Sequence, residues 1–294
     1  MKIMSNLISY LFNTNAFKIC PENQPFWYTS GKIGPYFINA QFLYGSEEDS
    51  NNLLEFIDSE LENSNKYQLP QNVFKKTLQQ YKENTIYKTT IDEFIKFIKA
   101  NINTYEIDYI SGGERRDWFF SNMVAYLLNK PHITIYKDLS IVNSTFDFSK
   151  TNDIDNIQGK NVLHIADLLN VASSYLRAWI PAIQNVNGNL KWSLVAVDRQ
   201  QGGHKALQQV HVESFALISL DNSLFDKAFE LNIINKAQLD TLYKFKENPD
   251  ETMKSFLIKH PEFIKNSLCA GGKSAKRAQL CLDNNIYGLK SSIG

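Results

Sequence analysis

The sequence has little cysteine and no excess of either charge. Its three cysteines are scattered singly and show no metal-binding spacing, so we expect neither a disulfide framework nor a cysteine-ligated metal. Lys and Arg together number 31, as do Asp and Glu, whereas nucleic-acid-binding proteins usually carry a clustered basic excess. The composition therefore favours a protein of a reducing compartment whose partners are not nucleic acids.

Long apolar runs are also missing. No window approaches the roughly 20 apolar residues that cross a bilayer, and residues 1–12 lack the basic segment and cleavage site of a signal peptide. We therefore expect a cytoplasmic protein with no membrane partner. With 294 residues, 43% of them hydrophobic, the chain can form one large domain with or without a smaller helical one.

Strand-like and helix-like segments alternate through the middle of the chain. Apolar or alternating runs predict strands at 108–111, 131–137, 161–166, 190–197 and 211–218, with helices at 117–128 and 173–183. This order predicts βαβ units and an α/β fold with a central, mostly parallel sheet flanked by helices. The polar stretch 139–159 has few core residues, and we expect it to be a mobile loop.

The flanking regions are mainly helical in pattern. Apolar spacing predicts helices at 4–17, 53–61, 72–81 and 91–102, with an aromatic-rich, strand-like segment at 26–44. After residue 221 the pattern is nearly all helical, with Asn235 and Asp250 as candidate helix caps. We therefore divide the chain into an N-terminal region with a helical insertion (1–104), a core (105–220) and a C-terminal helical extension (221–294).

Three of the predicted strands end in residues suited to a phosphorylated ligand. Ligands of open parallel sheets bind beyond the carboxyl ends of the strands. The first such strand ends at Gly112-Gly113, just before two arginines and a helix start that favour an anion. The second ends at Asp167, before a polar turn that contains Ser173 and Ser174, and the third is followed by the turn DRQQGG at 198–203.

These patterns also have purely structural alternatives. The Gly112-Gly113 pair suits a plain strand-to-helix turn, and Asp167 and the serines suit the caps of a turn and a helix. His164, three residues before Asp167, is more simply a core histidine. The run 271–274 (GGKS) resembles half of a P-loop without its first glycine, so we expect a helix C-cap followed by a new helix.

The order of these landmarks resembles that of orotate phosphoribosyltransferases, in the type I phosphoribosyltransferase family. Residues 29–37 (TSGKIGPYF) are similar to the family's SGK-SPYY hood segment, and the DRQQGG turn resembles its DREEGG turn. By eye the similarity covers about residues 7–45 and 105–233, and the insertion and the tail are longer than usual. The resemblance implies a type I phosphoribosyltransferase fold with an N-terminal hood and a C-terminal helical extension.

The same resemblance implies roles for particular residues. The implied catalytic residues are Lys32 at the pyrophosphate or base carboxylate, Lys137 at the start of a flexible loop, and Asp167 at a ribose hydroxyl. The implied substrate-binding residues are Tyr36, Phe37, Gly112, Gly113, Arg115, Asn170, Ala172, Ser173, Ser174 and Arg199. The resemblance also implies magnesium (Mg2+) as cofactor, although no metal ligand is assigned, and a homodimer.

The chain departs from the family pattern at the ribose-phosphate segment. Ala166 replaces the first of two adjacent acids, which removes a ribose contact and weakens any magnesium bridge, because hard cations prefer carboxylate oxygens. Asn170 and Val171 replace small hydroxyl residues. Ala172 replaces a glycine, so the backbone there either avoids a positive φ or is strained.

Three functions are therefore open at this point. The resemblance implies an enzyme that transfers ribose 5-phosphate from phosphoribosyl pyrophosphate to a nitrogenous base, with orotate the first choice. The loss of an acid at Ala166 favours instead a catalytically impaired relative that binds a nucleotide or phosphorylated ligand in a regulatory role. A third possibility is a divergent transferase whose insertion and tail reshape the pocket for another small-molecule base.

Overall fold

The structure, a computed structural model, describes residues 2–288 and, from Asn6 onward, their side chains. The helices are α1 (Lys2–Asn13), α2 (Glu47–Asn63), α3 (Leu69–Glu83), α4 (Thr85–Asn101), α5 (Trp118–Leu128), α6 (Ile180–Gln184), α7 (Gly203–Gln209), α8 (Asn222–Glu230), α9 (Lys236–Glu247), α10 (Pro249–Lys259), α11 (Glu262–Cys269) and α12 (Gly272–Asp283). The strands are β1 (Phe17–Ile19), β2 (Phe26–Trp27), β3 (Ile33–Gly34), β4 (Tyr36–Ile38), β5 (Tyr109–Gly113), β6 (His132–Ile135), β7 (Ile141–Ser144), β8 (Thr151–Asn152), β9 (Asn161–Leu169), β10 (Asn189–Asp198) and β11 (Glu213–Ser219).

The chain forms two compact units that differ from the predicted segments. The first unit contains residues 1–16 and 39–221, and the second contains residues 17–38 and 222–294. The predicted boundary near residue 104 is absent from this division, because the inserted helices pack on α5 within the first unit, as in the contact between the rings of Phe94 and Phe120. The hood segment instead groups with the C-terminal helices.

A seven-stranded sheet in the first unit confirms the predicted α/β fold. Its strand order is β11-β10-β9-β5-β6-β7-β8. The strands from β11 to β6 pair in parallel, whereas β7 and β8 are antiparallel additions. The central strand β9 is a nearly continuous apolar run, as expected where helices cover both faces of a parallel sheet, and Val162, Leu163 and Ile165 are fully buried.

The prediction of a mobile loop at 139–159 is wrong, because part of this polar stretch is folded. It contains the antiparallel strands β7 and β8 and the turn between them. Phe148 at that turn is 1% exposed and stacks on Phe74 of α3, with ring centroids 4.4 Å apart. A single buried aromatic residue, together with Val142 of β7, thus fixes a segment whose other residues are mostly polar.

Helices α2, α3 and α4 confirm the helices predicted at 53–61, 72–81 and 91–102, with longer bounds. Ser46 caps α2 by accepting a hydrogen bond from the Asp49 N–H. Asn84 caps α4 by accepting from the N–H groups of Ile86 and Tyr87. Such caps satisfy N–H groups that have no partner within the helix, and so they set where each helix begins.

The N-terminal helix is shorter than predicted. The predicted helix over 4–17 ends at Asn13, because Asn15 adopts a positive φ of 57° and Phe17 begins β1. The side-chain oxygen of Thr14 accepts a hydrogen bond from the Ala16 N–H in this turn. Met1 of the predicted N-terminal region lies outside the described residues. Among the residues that the structure does describe, no helix has both the length and the apolar character to cross a membrane.

The second unit combines short antiparallel strand pairs with helices. β1 pairs with β4, and β2 pairs with β3. Asn235 caps α9 in a reciprocal capping box with Gln238, as predicted for Asn235. The predicted cap at Asp250 is wrong, because Asn248 accepts the bond from the Glu251 N–H.

The Gly-Gly run after α11 is the predicted break between two helices. α11 ends at Cys269, Gly271 has a positive φ of 73°, and α12 begins at Gly272. A positive φ is readily adopted by glycine, so this run is a helix terminus and not a phosphate loop. Residues 289–294 of the predicted extension lie outside the described part of the chain.

Candidate functional site

Three strands of the sheet end side by side at one edge. β5 pairs in parallel with β9, and β9 pairs in parallel with β10. Because these strands run in one direction, the turns after Gly113, Leu169 and Asp198 leave the sheet at the same edge. The structure therefore brings the Gly112-Gly113 turn and the Asp167 segment together, as the sequence predicts.

A cavity of about 310 Å³ lies between the turns that follow β5 and β9. Six of the predicted site residues line it, namely Arg115, Asp167, Asn170, Ala172, Ser173 and Ser174. Arg116, the second of the two arginines expected to favour an anion, also lines it, together with Glu114, Asp117 and Trp179, which had no predicted site role. The cavity thus combines a basic turn with a hydroxyl-bearing loop, which is a suitable lining for a phosphorylated ligand.

The Asp117 carboxylate connects the two turns. Its Oδ1 accepts a hydrogen bond from the Asp167 N–H at 3.2 Å, and its Oδ2 accepts one from the Gly113 N–H at 3.1 Å. The same Oδ2 lies 3.3 Å from His164 Nε2. Asp117 is 6% exposed, so this buried carboxylate holds the carboxyl ends of β5 and β9 in their relative positions.

His164 confirms the interpretation as a core histidine. The residue is fully buried, and its Nδ1 lies 2.9 Å from the Ser111 hydroxyl while its Nε2 faces Asp117. Its ring packs against Tyr175 and Trp179. Both ring nitrogens are therefore used inside the fold.

Asp167 is electrostatically unusual. It is 9% exposed, and burial raises the pKa of its carboxyl from 3.8 to about 7, with a further increase from the negative charge of Asp117. The nearby Arg116 partly offsets this increase in pKa. A carboxyl group with such a pKa exchanges a proton near neutral pH, and strongly shifted pKa values are common in functional sites.

The two glycines of β5 do not line the cavity and pack closely against neighbouring side chains. A Cβ atom on Gly112 would overlap the side chain of Ser121, and one on Gly113 would overlap the ring of Trp179. Neither glycine has a positive φ. The glycines are thus explained by close packing, and their predicted contact with pyrophosphate stays a prediction.

Replacing Gly113 with alanine is expected to lower the free energy of unfolding by about 1–3 kcal/mol, because the new methyl group overpacks the Trp179 ring. Urea unfolding at neutral pH measures the loss. The control is a double-mutant cycle with Trp179→Leu, in which the double variant should lose less than the sum of the single variants. Additive losses would show that the two residues do not clash.

The turn after β9 contains the positive φ that was one of the two alternatives for Ala172. Ala172 has a φ of 59° and is 3% exposed. Non-glycine residues rarely adopt this left-handed conformation. Its carbonyl accepts a hydrogen bond from the Leu176 N–H at 3.0 Å, which helps to hold the loop. Ser173 and Ser174 are exposed at the start of the helical turn Tyr175–Trp179.

The DRQQGG turn packs against this loop. Asp198 is 1% exposed, accepts a hydrogen bond from the Gln200 N–H and lies 3.0 Å from His204 Nε2. The Arg199 N–H donates to the Leu169 carbonyl at 2.9 Å. A Cβ on Gly203 would collide with the Asn170 carbonyl, so a glycine is needed there.

Two buried polar atoms of predicted site residues lie close to this turn. Asn170 Oδ1 and Arg199 Nε have no hydrogen-bond partner among the described residues. Asn170 lines the cavity, but its side-chain oxygen is buried within the fold. Arg199 is not among the residues that line the cavity, so its predicted binding role stays a prediction.

A larger cavity of about 800 Å³ adjoins the first and shares Arg115 and Ser174 with it. Lys137 lines this second cavity and is exposed, and its N–H donates to Glu114 Oε2 at 2.9 Å. Arg115 forms an ion pair with Asp58 of the inserted helix α2. The predicted site residue Lys137 is thus next to the phosphate-binding candidates.

Comparison with known proteins identifies the fold. The structure is similar to UMP synthase from Leishmania donovani, with a TM-score of 0.55 and 16% sequence identity over 82% of this chain. It is also similar to orotate phosphoribosyltransferase from Aeropyrum pernix, with a TM-score of 0.50 and 15% identity over 76% of this chain and 99% of that one.

The chain has the type I phosphoribosyltransferase fold. It spans 41% of the length of the UMP synthase that it matches. No protein-family model matches the sequence, and no curated protein sequence matches it. At this low sequence identity, the similarity shows the fold alone. This fold is the architecture that the resemblance of the hood segment and the DRQQGG turn implied.

The three predicted site residues of the hood belong to the second unit of this phosphoribosyltransferase fold. Lys32 is 2.7 Å from Asp250 in an exposed ion pair. Tyr36 is 7% exposed, with its ring against Phe17 and Phe245. Phe37 packs on the rings of Phe26 and Tyr28. The Tyr36 ring therefore belongs to a hydrophobic core, and a base-lining role for Tyr36 and Phe37 stays a prediction.

The cavity does not fit a magnesium site made by protein ligands. Ala166 supplies no carboxylate, and both oxygens of Asp117 are used by groups of the fold. The described residues contain no group of three or more His, Cys, Asp or Glu side chains placed for a metal ion. Of the other two carboxylates that line the cavity, Glu114 uses its Oε2 to accept the backbone N–H of Lys137, and Asp167 is a poor ligand while it is protonated. The predicted magnesium therefore stays a prediction.

Sequence reasoning missed Asp117 and Asp58 as parts of this site. The signal for Asp117 was its place four residues after Gly113, at the start of the helix that follows the Gly112-Gly113 turn. Asp58 carried no comparable signal, because it lies on a helix far away in the sequence. Its proximity to Arg115 depends on how the insertion packs.

Proposed function

We propose that the smaller cavity binds the phosphorylated ribose of phosphoribosyl pyrophosphate or of a nucleotide. We further propose that the protein transfers ribose 5-phosphate to a nitrogenous base, with orotate as the first acceptor to test. The observation that carries the proposal is that Asp167 and the loop of Ser173 and Ser174 line one cavity with Arg115 and Arg116. This arrangement suits one phosphate group attached to one hydroxyl-bearing sugar.

The lining residues suggest how such a ligand would be held. The hydroxyl groups of Ser173 and Ser174, with the N–H groups at the start of the following helical turn, would bind the 5′-phosphate. The Asp167 carboxyl would accept or donate a hydrogen bond at a ribose hydroxyl, depending on its protonation. Arg115 and Arg116 would stabilise negative charge on the leaving group. Positioning and charge stabilisation would thus supply the catalysis, without a covalent intermediate.

A second candidate function is ligand binding without turnover. Two observations favour it, namely the alanine at 166 in place of an acid and the raised pKa of Asp167, which makes this carboxyl a weaker stabiliser of positive charge. Such a protein would bind a nucleoside monophosphate in a regulatory role. The proposed homodimer and the proposed magnesium apply equally to both candidates.

For the first candidate, we expect pyrophosphate to be released when the protein is mixed with phosphoribosyl pyrophosphate, magnesium chloride and orotate. A coupled assay measures this release, and a panel of other bases is tested in the same way. Binding of a nucleoside monophosphate by calorimetry, with no release from any base, would favour the second candidate. In that case Ala166→Asp tests for lost catalysis, because it restores the missing acid. A protein that neither binds nor turns over these compounds would contradict both candidates.

Arg116→Gln is expected to weaken the binding of phosphoribosyl pyrophosphate about five- to tenfold, because it removes a charge-assisted hydrogen-bond donor from the cavity. Isothermal titration calorimetry measures the change. Lys99→Gln is the matched control, since it removes one exposed positive charge from the end of α4, outside the residues that line the cavity. Equal affinities of the two variants would contradict the assignment of Arg116.

A further inference from the structure

The inserted helix α2 supplies a carboxylate to the phosphoribosyltransferase core. Asp58 on this helix forms an ion pair with Arg115 in the turn after β5. Both residues line the cavity of about 800 Å³ that adjoins the ribose-phosphate cavity. The side chain of Arg115 is 34% exposed and that of Asp58 is 52% exposed, so solvent and ligands can reach the pair.

The lining of this cavity has more cationic than acidic side chains, and one of the acidic side chains pairs with a cation. Its cationic lining residues are Arg115, Lys137 and Arg177, and its acidic ones are Asp58 and Glu114. Glu114 accepts the Lys137 N–H, whereas Asp58 directly contacts the Arg115 guanidinium. The carboxylate of Asp58 therefore occupies one guanidinium nitrogen, Nη1, that an incoming anionic group would also use, since a guanidinium binds carboxylate and phosphate with the same N–H groups.

Helix α2 is held in place by buried side chains, whereas the Asp58 carboxylate on it is half exposed to solvent. Ile57, next to Asp58, is fully buried, and Leu53 one turn earlier is 3% exposed, so α2 is anchored in the first unit. The half-exposed Asp58 side chain can change rotamer while its backbone stays in place. Displacing it from Arg115 thus requires a side-chain movement and no unfolding of the helix.

We propose that Asp58 acts as a built-in competitor for the anionic group of the ligand at Arg115. This inference rests on the proposed binding of a phosphorylated ligand, and it assigns a specificity role to the insertion. A multiply charged group such as a pyrophosphate displaces the carboxylate, whereas a singly charged group competes poorly with it. Asp58 thereby lowers the affinity of the site for anions and increases its selectivity for highly charged ones.

The test is calorimetric titration of the full chain with inorganic pyrophosphate. Asp58→Asn is expected to bind it about three- to fivefold more tightly than the unaltered protein, the range expected for a partly exposed ion pair. Asp58→Glu, which keeps the charge, should bind with unchanged affinity. Glu62→Gln removes an equal charge one turn further along α2. It measures how much the affinity for pyrophosphate depends on the negative charge of the helix alone, and we expect this change in affinity to be small.

Two further measurements make the outcome specific. Adding Arg115→Gln to Asp58→Asn should abolish the gain, and the gain should shrink as ionic strength rises. Unchanged or weaker binding by Asp58→Asn, or an equal gain in Glu62→Gln, would overturn the role of Asp58. If no protein, altered or not, binds pyrophosphate or phosphoribosyl pyrophosphate, the proposed function itself fails, which the titration of the unaltered protein shows separately.

Discussion

Asp117→Ala is expected to lower the free energy of unfolding by about 3–5 kcal/mol, because it leaves several buried polar groups without their partner at a cost of about 1–3 kcal/mol each. The variant leaves the N–H groups of Gly113 and Asp167 without their acceptor and removes the buried partner of His164. Each of these groups then stays buried without the partner that had replaced its hydrogen bonds to water, and this destabilises the folded state. The carboxyl ends of β5 and β9 also lose their connection, so binding of phosphoribosyl pyrophosphate should fall with stability.

Chemical denaturation at pH 7 measures this loss. Asp117→Asn should lose less than the alanine variant, because its amide oxygen can still accept one of the backbone bonds. The control Asp155→Ala removes an exposed carboxylate of the same unit and should stay within about 0.5 kcal/mol of the unaltered protein. A loss below 1 kcal/mol for Asp117→Ala would refute the connecting role of this carboxylate.

Asp167→Asn is expected to stabilise the protein at pH 8 and to leave its stability unchanged at pH 4. In the folded state the pKa of Asp167 is raised to about 7, whereas in the unfolded chain it is near 3.9. Between these values the unfolded chain has lost the proton that the folded protein keeps, so rising pH favours unfolding. Asparagine has no proton to lose, and its advantage grows across this window to an upper limit on the order of 4 kcal/mol.

The measurement is the difference in unfolding free energy between Asp167→Asn and the unaltered protein at several pH values from 4 to 8. Subtracting the two curves cancels the titration of all other groups that behave alike in both proteins. Asp147→Asn is the control, because hydrogen bonds from Thr145 and Ser149 hold the pKa of Asp147 below its usual value, so Asp147 is ionised in both the folded and unfolded states above about pH 5 and its difference should not change from there to pH 8. A difference for Asp167→Asn that stays constant with pH would refute the buried, protonated state.

The affinity of Asp167→Asn for phosphoribosyl pyrophosphate distinguishes a role of Asp167 in ligand binding from a role in stability alone. If the Asp167 carboxyl binds a ribose hydroxyl, the asparagine variant should be more stable and yet bind phosphoribosyl pyrophosphate more weakly. A residue that lowers stability while it serves a binding site is a common trade-off in functional sites. The two readouts therefore move in opposite directions, which a purely structural role for Asp167 would not produce.

Local patterns in the sequence predicted much of the fold. The alternation of apolar strands and helices gave the parallel sheet, and Asn235 marked the start of α9 through its capping chemistry. Asp167 was recognisable because it follows an apolar strand and precedes a polar turn. Such features depend on residues a few positions apart, and so they can be read along the chain.

The predictions that were wrong have a common cause, because contacts between residues far apart in the chain decided these features. The stretch 139–159 looks like a loop, yet Phe148 at its turn stacks on Phe74 and holds it. Asp250 looks like a helix cap, but Asn248 takes that place two residues earlier. The division into two units joins segments that are far apart in the chain, as with residues 17–38 and 222–294.

By itself, the sequence determined most of the order of strands and helices, the cap at Asn235, the helix break at Gly271, and which strand ends carry a carboxyl or hydroxyl groups, because these follow from spacing and local backbone preference. Tertiary structure alone decided that Asp117 joins two turns, that burial raises the pKa of Asp167, and that Asp58 pairs with Arg115. Burial and ion pairing depend on which distant groups come within a few ångströms of each other, and that depends on packing.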